Sequence, residues 1–165
     1  MAEGKPYYNI TGMSVSPNNN LLVFGIDEVS RRQYTLKIKN ITTGEILSDN
    51  IEGTNGYGVW ANDNNTIFYT LNHPVTLLSE KIMRHQINGN KKDVMVYQEK
   101  DNSNYIGVSK SKNGRYIFIS SQATLSSEQL FIQADKPASA FQSFQPRIKN
   151  MLYDVVALDD KFLIR

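Results

Sequence analysis

Two serine-bearing segments come nearest to a catalytic nucleophile: Gly12-Met13-Ser14-Val15-Ser16 and Gly107-Val108-Ser109-Lys110-Ser111. A hydrolase of the α/β type places its serine in Gly-x-Ser-x-Gly on a sharp strand-to-helix elbow, with Asp and His following in chain order. Both segments lack the second glycine and precede apolar strands, so Ser14, Ser16, Ser109 and Ser111 read as strand residues. The chain has two histidines, His73 ahead of Pro74 and His85 beside Arg84, and no cysteine. A zinc site needs His-x3-His spacing or supporting thiolates, so surface or satisfied structural roles fit both histidines better. Asp63, Asp159 and Asp160 stand in Asn-containing turns without the Asp-x-Asp-x-Asp-Gly run and distal Glu of a calcium loop. Hydrogen bonds to their own turn backbones account for them. Gly53-Thr54-Asn55-Gly56-Tyr57-Gly58 has the glycine density of a phosphate loop but leads into a strand. Without a helix N-terminus to hold phosphate it reads as a connection. No catalytic, cofactor-binding or metal-ligating residue is assigned.

Composition narrows the classes further. The 165 residues carry 18 Lys and Arg against 16 Asp and Glu. Arg31-Arg32 and Lys91-Lys92 are isolated pairs, so the basic footprint of a nucleic-acid binder is missing. No apolar run approaches the ~20 residues of a membrane-spanning helix. Met1-Ala2-Glu3-Gly4-Lys5-Pro6 lacks the apolar core of a secretory signal and reads as a start codon set before an internal segment. Absence of cysteine fits a reducing, cytoplasmic compartment. Asn-x-Thr matches occur at Asn9, Asn40 and Asn64, as expected by chance in an Asn-rich chain.

The elements that would position these residues repeat. Val15-Ser16-Pro17-Asn18-Asn19-Asn20-Leu21 is a strand end, a polar turn and the start of an apolar strand. The same form returns at Trp60–Tyr69, Lys110–Ile119 and Val156–Ile164. Aligned on Ser16, Ala61, Ser111 and Ala157, the steps are 45, 50 and 46 residues, the span of one four-stranded propeller blade at about 40–50 residues. Strands are expected at Leu21–Ile26, Gln33–Ile38 and Glu45–Ile51, then at Thr66–Leu71, Lys81–His85 and Val94–Tyr97, with a turn at Asn88-Gly89-Asn90. A third set follows at Tyr116–Ser120, Gln129–Gln133 and Phe141–Phe144. Gly12, Gly58 and Gly107 fall near the start of each innermost strand, where a central channel leaves little room. Val75–Met83 is the best helical stretch and is too short and too close to Pro74 to count. The fold class is all-β: about three to four blades, at approximately 9–55, 56–102 and 103–150, with a partial blade at 151–165. Trp60, Phe68, Tyr69, Tyr116 and Phe118 recur at matching strand positions and are expected to pack between blades.

Several segments, in order, resemble the propeller of oligopeptidase B, also called protease II, of the prolyl oligopeptidase family. They include Ala2–Tyr8 with Val15–Asn19, Arg31–Leu36, Thr43-Gly44-Glu45, Val59–Asn64, Phe68-Tyr69-Thr70, Arg84-His85, Val96–Asp101, Val108–Ser111 and Pro146-Arg147. The resemblance implies a cytosolic serine peptidase whose seven-bladed propeller caps an α/β-hydrolase domain and admits short peptides, cleaved after Lys or Arg. The implied partners are that hydrolase domain and short peptides, with no nucleic acid and no membrane. The triad and the residues that read the basic side chain belong to the other domain, so none is carried over.

On this reading the chain is a non-catalytic piece of a peptidase's lid. Loops Asp27–Arg32, Asn72–Ser79 and Ser121–Ser127 should share one face, and turns Pro17–Asn20, Asn62–Asn65 and Lys112–Arg115 the other. Arg31 and Arg32 are candidate interdomain contacts, the alternative being ordinary solvated charges. Open blade faces predict that the isolated chain self-associates. The rival is a stand-alone propeller scaffold for protein interactions. A Gly-x-Ser-x-Gly elbow in the downstream coding sequence separates the two.

Overall fold

The fold follows from how each apolar run finds cover. A computed structural model describes residues 2–89 and 92–165, so the last residue of the expected Asn88-Gly89-Asn90 turn lies outside the described residues. The strands are β1 (Asn9–Val15), β2 (Leu21–Asp27), β3 (Tyr34–Asn40), β4 (Ile51–Trp60), β5 (Thr66–Asn72), β6 (Ser79–Gln86) and β7 (Val94–Gln98). They continue as β8 (Tyr105–Lys110), β9 (Tyr116–Gln122), β10 (Ser127–Gln133), β11 (Gln142–Gln145), β12 (Val155–Ala157) and β13 (Phe162–Ile164). Among the described residues there is no helix, and Val75–Met83 is a turn followed by strand.

Every neighbouring pair is antiparallel. The sheet orders are β1-β2-β3-β4-β5-β6-β7, then β11-β10-β9-β8, then the hairpin β12-β13. β2, β5 and β9 are the near-continuous apolar runs, and each is covered on both faces, from Val23 to Asp27, Thr66 to Thr70 and Ile117 to Ile119.

The three long turns are superimposable in their bonding. Ser16 N donates to Leu21 O at 2.8 Å, Ala61 N to Thr66 O at 2.9 Å, and Ser111 N to Tyr116 O at 2.9 Å. Each turn has one left-handed residue, Asn19 (φ 61°), Asn64 (φ 58°) and Gly114 (φ 70°), the residue types that tolerate that conformation.

β4 departs from expectation. Residues 45–51 do not form a full outer strand: Lys39 bridges Ile46 alone, and pairing with β3 resumes at Leu36↔Ile51 and Tyr34↔Thr54. The ladder breaks because Asp49 turns inward, where its Oδ1 faces His85 Nε2 at 2.9 Å and accepts from Asn88 N at 2.9 Å. β4 then crosses to pair with β5 at Gly58↔Tyr69, Val59↔Phe68 and Trp60↔Ile67.

The core lies within the fold of the seven-stranded sheet and between it and the sheets that follow. Val23, Leu36, Ile38 and Ile51 meet Trp60, Ile67 and Tyr69. Phe68 and Ala61 meet Ile117 and Ile132, while Ile82 meets Ile106 and Ile119. Phe118 packs under Tyr153, Val155 and Ala157, beside Phe131, Phe144 and Phe162. Phe68, Tyr116 and Phe118 pack across to a neighbouring sheet, while Trp60 and Tyr69 pack within the seven-stranded sheet, where Trp60 Nε1 also donates to Ser14 O of β1 at 2.9 Å.

The glycine expectation is corrected in its cause. At Gly12 (φ 62°) a Cβ would overlap the carbonyl oxygen of Gly56, and at Gly25 it would stand 2.6 Å from Gly56 Cα. The crowding comes from β4 crossing β1 and β2 rather than from a central channel. A Cβ on Gly107 would meet only Ser120 Oγ at 3.8 Å, so no crowding accounts for glycine there.

Candidate functional site

The strand alternation sends the turns and the loops to opposite ends of the sheets, and the two ends differ in chemistry. The turn face is internally satisfied. Asn18 N donates to Asn64 Oδ1 at 2.8 Å, Asn62 Nδ2 to Gly114 O at 3.1 Å, and Asn113 Nδ2 to Leu158 O at 3.1 Å. Each turn thus hands one bond to the next. Lys110 Nζ donates to Asn62 Oδ1 at 2.6 Å. Burial holds the Lys110 ammonium below the usual lysine range, against the pull of Asp135 and Asp63.

The serines and acids of these turns serve the backbone. Ser16 Oγ accepts from Leu21 N at 3.0 Å and donates to Asn18 Oδ1 at 2.7 Å; Ser111 Oγ does the same with Tyr116 N at 2.9 Å and Asn113 Oδ1 at 2.7 Å. Asp63 accepts from Asn65 N, Thr66 N and Thr66 Oγ1 at 3.0, 2.9 and 2.6 Å. Among the described residues no group of three acidic, His or Cys side chains is arranged to hold a metal ion.

The loop face is less complete. The β2–β3 and β5–β6 loops and the start of β4 line an open groove of about 820 Å³, with Tyr8, Glu28, Glu52, Asn72, His73 and Leu77 among its walls. Tyr8 Oη and Asn72 Oδ1 are buried there without a hydrogen-bond partner. Asp27 shapes the first loop by accepting from Val29 N at 2.9 Å and Arg32 N at 2.8 Å. Arg31 and Arg32 sit on that loop with exposed side chains, outside the groove lining. His73 shapes the second, its Nδ1 accepting from Val75 N and Thr76 N at 3.2 Å each. The tips leave Val29, Val75 and Leu125 exposed by 57, 82 and 62%. Ser30, Arg32 and Leu77 all hold positive φ near 60°, a costly conformation for Leu in particular.

The third loop, between β9 and β10, is held from outside. Arg147, Ser121, Glu99 and Tyr97 form one connected cluster. Burial works to raise Glu99, but hydrogen bonds from Ser121, the Asp101 backbone, Asn104 and Tyr97 outweigh it and hold the carboxyl below its ordinary value. Burial pushes the Tyr97 hydroxyl up to about 12. Sequence reading passed over this cluster because its members are spread from Tyr97 to Arg147 and share no spacing rule. Pro146-Arg147 stood out only through the resemblance.

Met13 on β1, Tyr57 on β4, Tyr105 on β8 and Val156 on β12 are each exposed apolar or aromatic side chains. They offer contact surface, without a nucleophile–base pair.

The whole chain, residues 1–165, matches the family model described as prolyl oligopeptidase, N-terminal beta-propeller domain. Dipeptidyl aminopeptidase BI of Pseudoxanthomonas mexicana is 37% identical over 166 residues, covering 100% of this chain and 23% of that protein. Protease 2 of Moraxella lacunata is 30% identical, covering 99% and 24%. Among solved structures, oligopeptidase B from Leishmania major superposes with a TM-score of 0.88 at 27% identity, over 94% of this chain and 22% of that one. Oligopeptidase B from Trypanosoma brucei, in its closed form with covalently bound antipain, gives the same TM-score at 24% identity and supports the fold. The chain spans about a quarter of the length of the relatives it matches.

Proposed function

The chain belongs to the prolyl oligopeptidase family, as its N-terminal β-propeller domain, and from that premise we propose that it acts as the non-catalytic lid of a serine peptidase. In this role it admits short peptides to an α/β-hydrolase domain and excludes folded proteins, with cleavage after Lys or Arg as in an oligopeptidase B. The observation that carries the reading is the match of the whole chain to the propeller model. A cysteine-free chain suits the reducing cytoplasm in which we place it.

We assign the loop face to the hydrolase domain. Support comes from the contrast between the two ends. The turn face spends its polar groups on itself, whereas the loop face keeps exposed Val29, Val75 and Leu125 and the unpartnered Tyr8 Oη and Asn72 Oδ1. Unpaired buried polar atoms and grouped apolar tips are what a partner surface would satisfy. Arg31 and Arg32 stand on this face, as interdomain contacts would.

The test is hydrolysis by the full-length protein of Arg- and Lys-containing peptides of increasing length, beside the same sites in a folded protein. Efficient cleavage confined to the short members is expected. Equal cleavage of the folded protein would remove the gating role, and absence of all peptidase activity would remove the lid reading altogether.

A further inference from the structure

Arg147 lies on the connection from β11 to β12, yet its guanidinium turns back onto the β9–β10 loop. Nη1 donates to Ser126 O at 3.0 Å and Ser126 Oγ at 2.9 Å; Nη2 donates to Ser121 O at 3.0 Å and Ser121 Oγ at 2.6 Å. One planar fork therefore grips both ends of a single hairpin loop, a geometry that lysine cannot reproduce. Ser121 is fully buried. Its hydroxyl accepts from Arg147 and donates to Glu99 Oε2 at 2.5 Å. That oxygen also accepts from Tyr97 Oη at 3.1 Å, while Oε1 takes Lys100 N and Asp101 N at 3.0 Å each. The loop is thereby tied to the end of β7 and to the link entering β12.

The hairpin does not need this grip to pair. β9 and β10 are in register through the last pair, Ser127↔Gln122, and Ala123 N closes the turn on Ser126 O at 2.8 Å. What the grip adds is a fixed direction for the tip, where Thr124 and Leu125 are exposed. Leu125 at that tip is 62% exposed. Ordering an exposed apolar tip costs conformational entropy and is recovered only when a partner lands on it. The other two loops on the face are shaped by their own residues, Asp27 and His73.

We propose that Arg147 is a positioning residue, which pre-sets the Thr124–Leu125 tip as a docking element for the catalytic domain. The inference rests on the assignment of the loop face to that domain. Neither residue touches reacting atoms; Arg147 acts through the loop, and Leu125 acts through the interface.

The test uses the full-length peptidase with Arg147→Lys, which keeps the charge and loses the fork, and Leu125→Ser, which keeps the fork and loses the apolar tip. Amide exchange across 122–126 should quicken by about tenfold or more in Arg147→Lys and stay at the wild-type rate in Leu125→Ser. Both variants should raise KM for a short Arg-amide by roughly threefold to tenfold, with kcat within about twofold of wild type. Unchanged exchange in Arg147→Lys overturns the anchor. Faster exchange with KM unchanged in both variants overturns the docking role. Failure of the lid reading itself would appear separately, as wild-type enzyme that does not discriminate by substrate length.

Discussion

Nε2 of His85 lies 2.9 Å from Oδ1 of Asp49, a residue 36 positions earlier in the chain. The other ring nitrogen, Nδ1, lies 2.7 Å from Asp93 Oδ1, and Asp93 Oδ2 accepts from Tyr69 Oη at 2.7 Å. Both ring nitrogens thus face a carboxylate oxygen, so the imidazole links Asp49 to Asp93. It joins the break after β3 to β6 and to the approach to β7, deep in the packing of the first long sheet. Burial, with Asp93 beside it, drives the Tyr69 hydroxyl far above the usual phenol range, so it remains a donor.

The cluster predicts a large, asymmetric cost. Replacing His85 with Ala would leave Asp49, only 9% exposed, as a buried carboxylate short of its partner. The expected loss is about 3–5 kcal/mol, the usual penalty for breaking a buried pair from one side. The double variant His85→Ala with Asp49→Leu should recover a good part of it. Urea unfolding of the three proteins reads this directly, and a cost below ~1 kcal/mol for the single variant would mean the cluster is not a clamp.

Backbone crossing supplies the second prediction. Gly12→Ala places a Cβ against the Gly56 carbonyl at a positive φ, where strain and overlap together should cost about 3 kcal/mol or more. Gly107→Ala meets only ordinary contact at 3.8 Å and should lie within ~0.5 kcal/mol of wild type, or gain slightly from a stiffer unfolded chain. Thermal melts of the two variants, made side by side, separate crowding at the β1–β4 crossing from a general requirement for glycine at strand starts.

The third concerns acid. Glu99 has its folded-state carboxyl held below the ordinary value of 4.5, chiefly by the hydrogen bonds that overcome its burial. A depressed folded pKa means the carboxylate stabilises the fold in full above the unfolded value. That contribution is lost as pH falls through the folded one. The β9–β10 loop should therefore loosen below about pH 4.5, before the apolar cores respond. Protection of the amides at 122–126, taken relative to the intrinsic exchange rate at each pH, should fall in this window, and Glu99→Gln should remove that fall.

Much of the architecture is written in local chemistry. The turns at Ser16, Ala61 and Ser111 are legible because a polar run with Asn or Gly at the left-handed position is a short-range signal, met in the structure at Asn19, Asn64 and Gly114. The doubly covered strands β2, β5 and β9 are legible because continuous apolar runs have no other cheap placement. The reading of 45–51 as a full strand failed for a non-local reason: Asp49 abandons the ladder for His85 and Asn88, and that attraction exists only once β6 is in place. Arg147 and Glu99 were invisible in the same way. Each looks like a solvated charge until the β9–β10 hairpin is folded beside it.

The last prediction concerns what the isolated chain does with its uncovered sheet. On the β12–β13 hairpin, Phe162 packs inward against Tyr116, Phe131 and Phe144, with ring centroids 4.9–5.6 Å apart. β13 also leaves Leu163, on the face opposite Phe162, and Ile164, at its end on the Phe162 side, exposed by 56 and 55%. At the other end, β1 leaves Ile10 and Met13 exposed by 44 and 71%. Sheets that normally stack on neighbours and lack them expose apolar surface at each open end, and burial at about 25 cal/mol per Å² favours association. The isolated 165-residue chain should therefore show concentration-dependent dimers or larger species by light scattering. Leu163→Lys with Ile164→Thr should shift the distribution toward monomer while the far-ultraviolet spectrum stays that of a β protein. A wild-type chain that remains monomeric at high concentration would show that these ends are closed by their own packing, and the apolar exposure of β13 would then need another explanation.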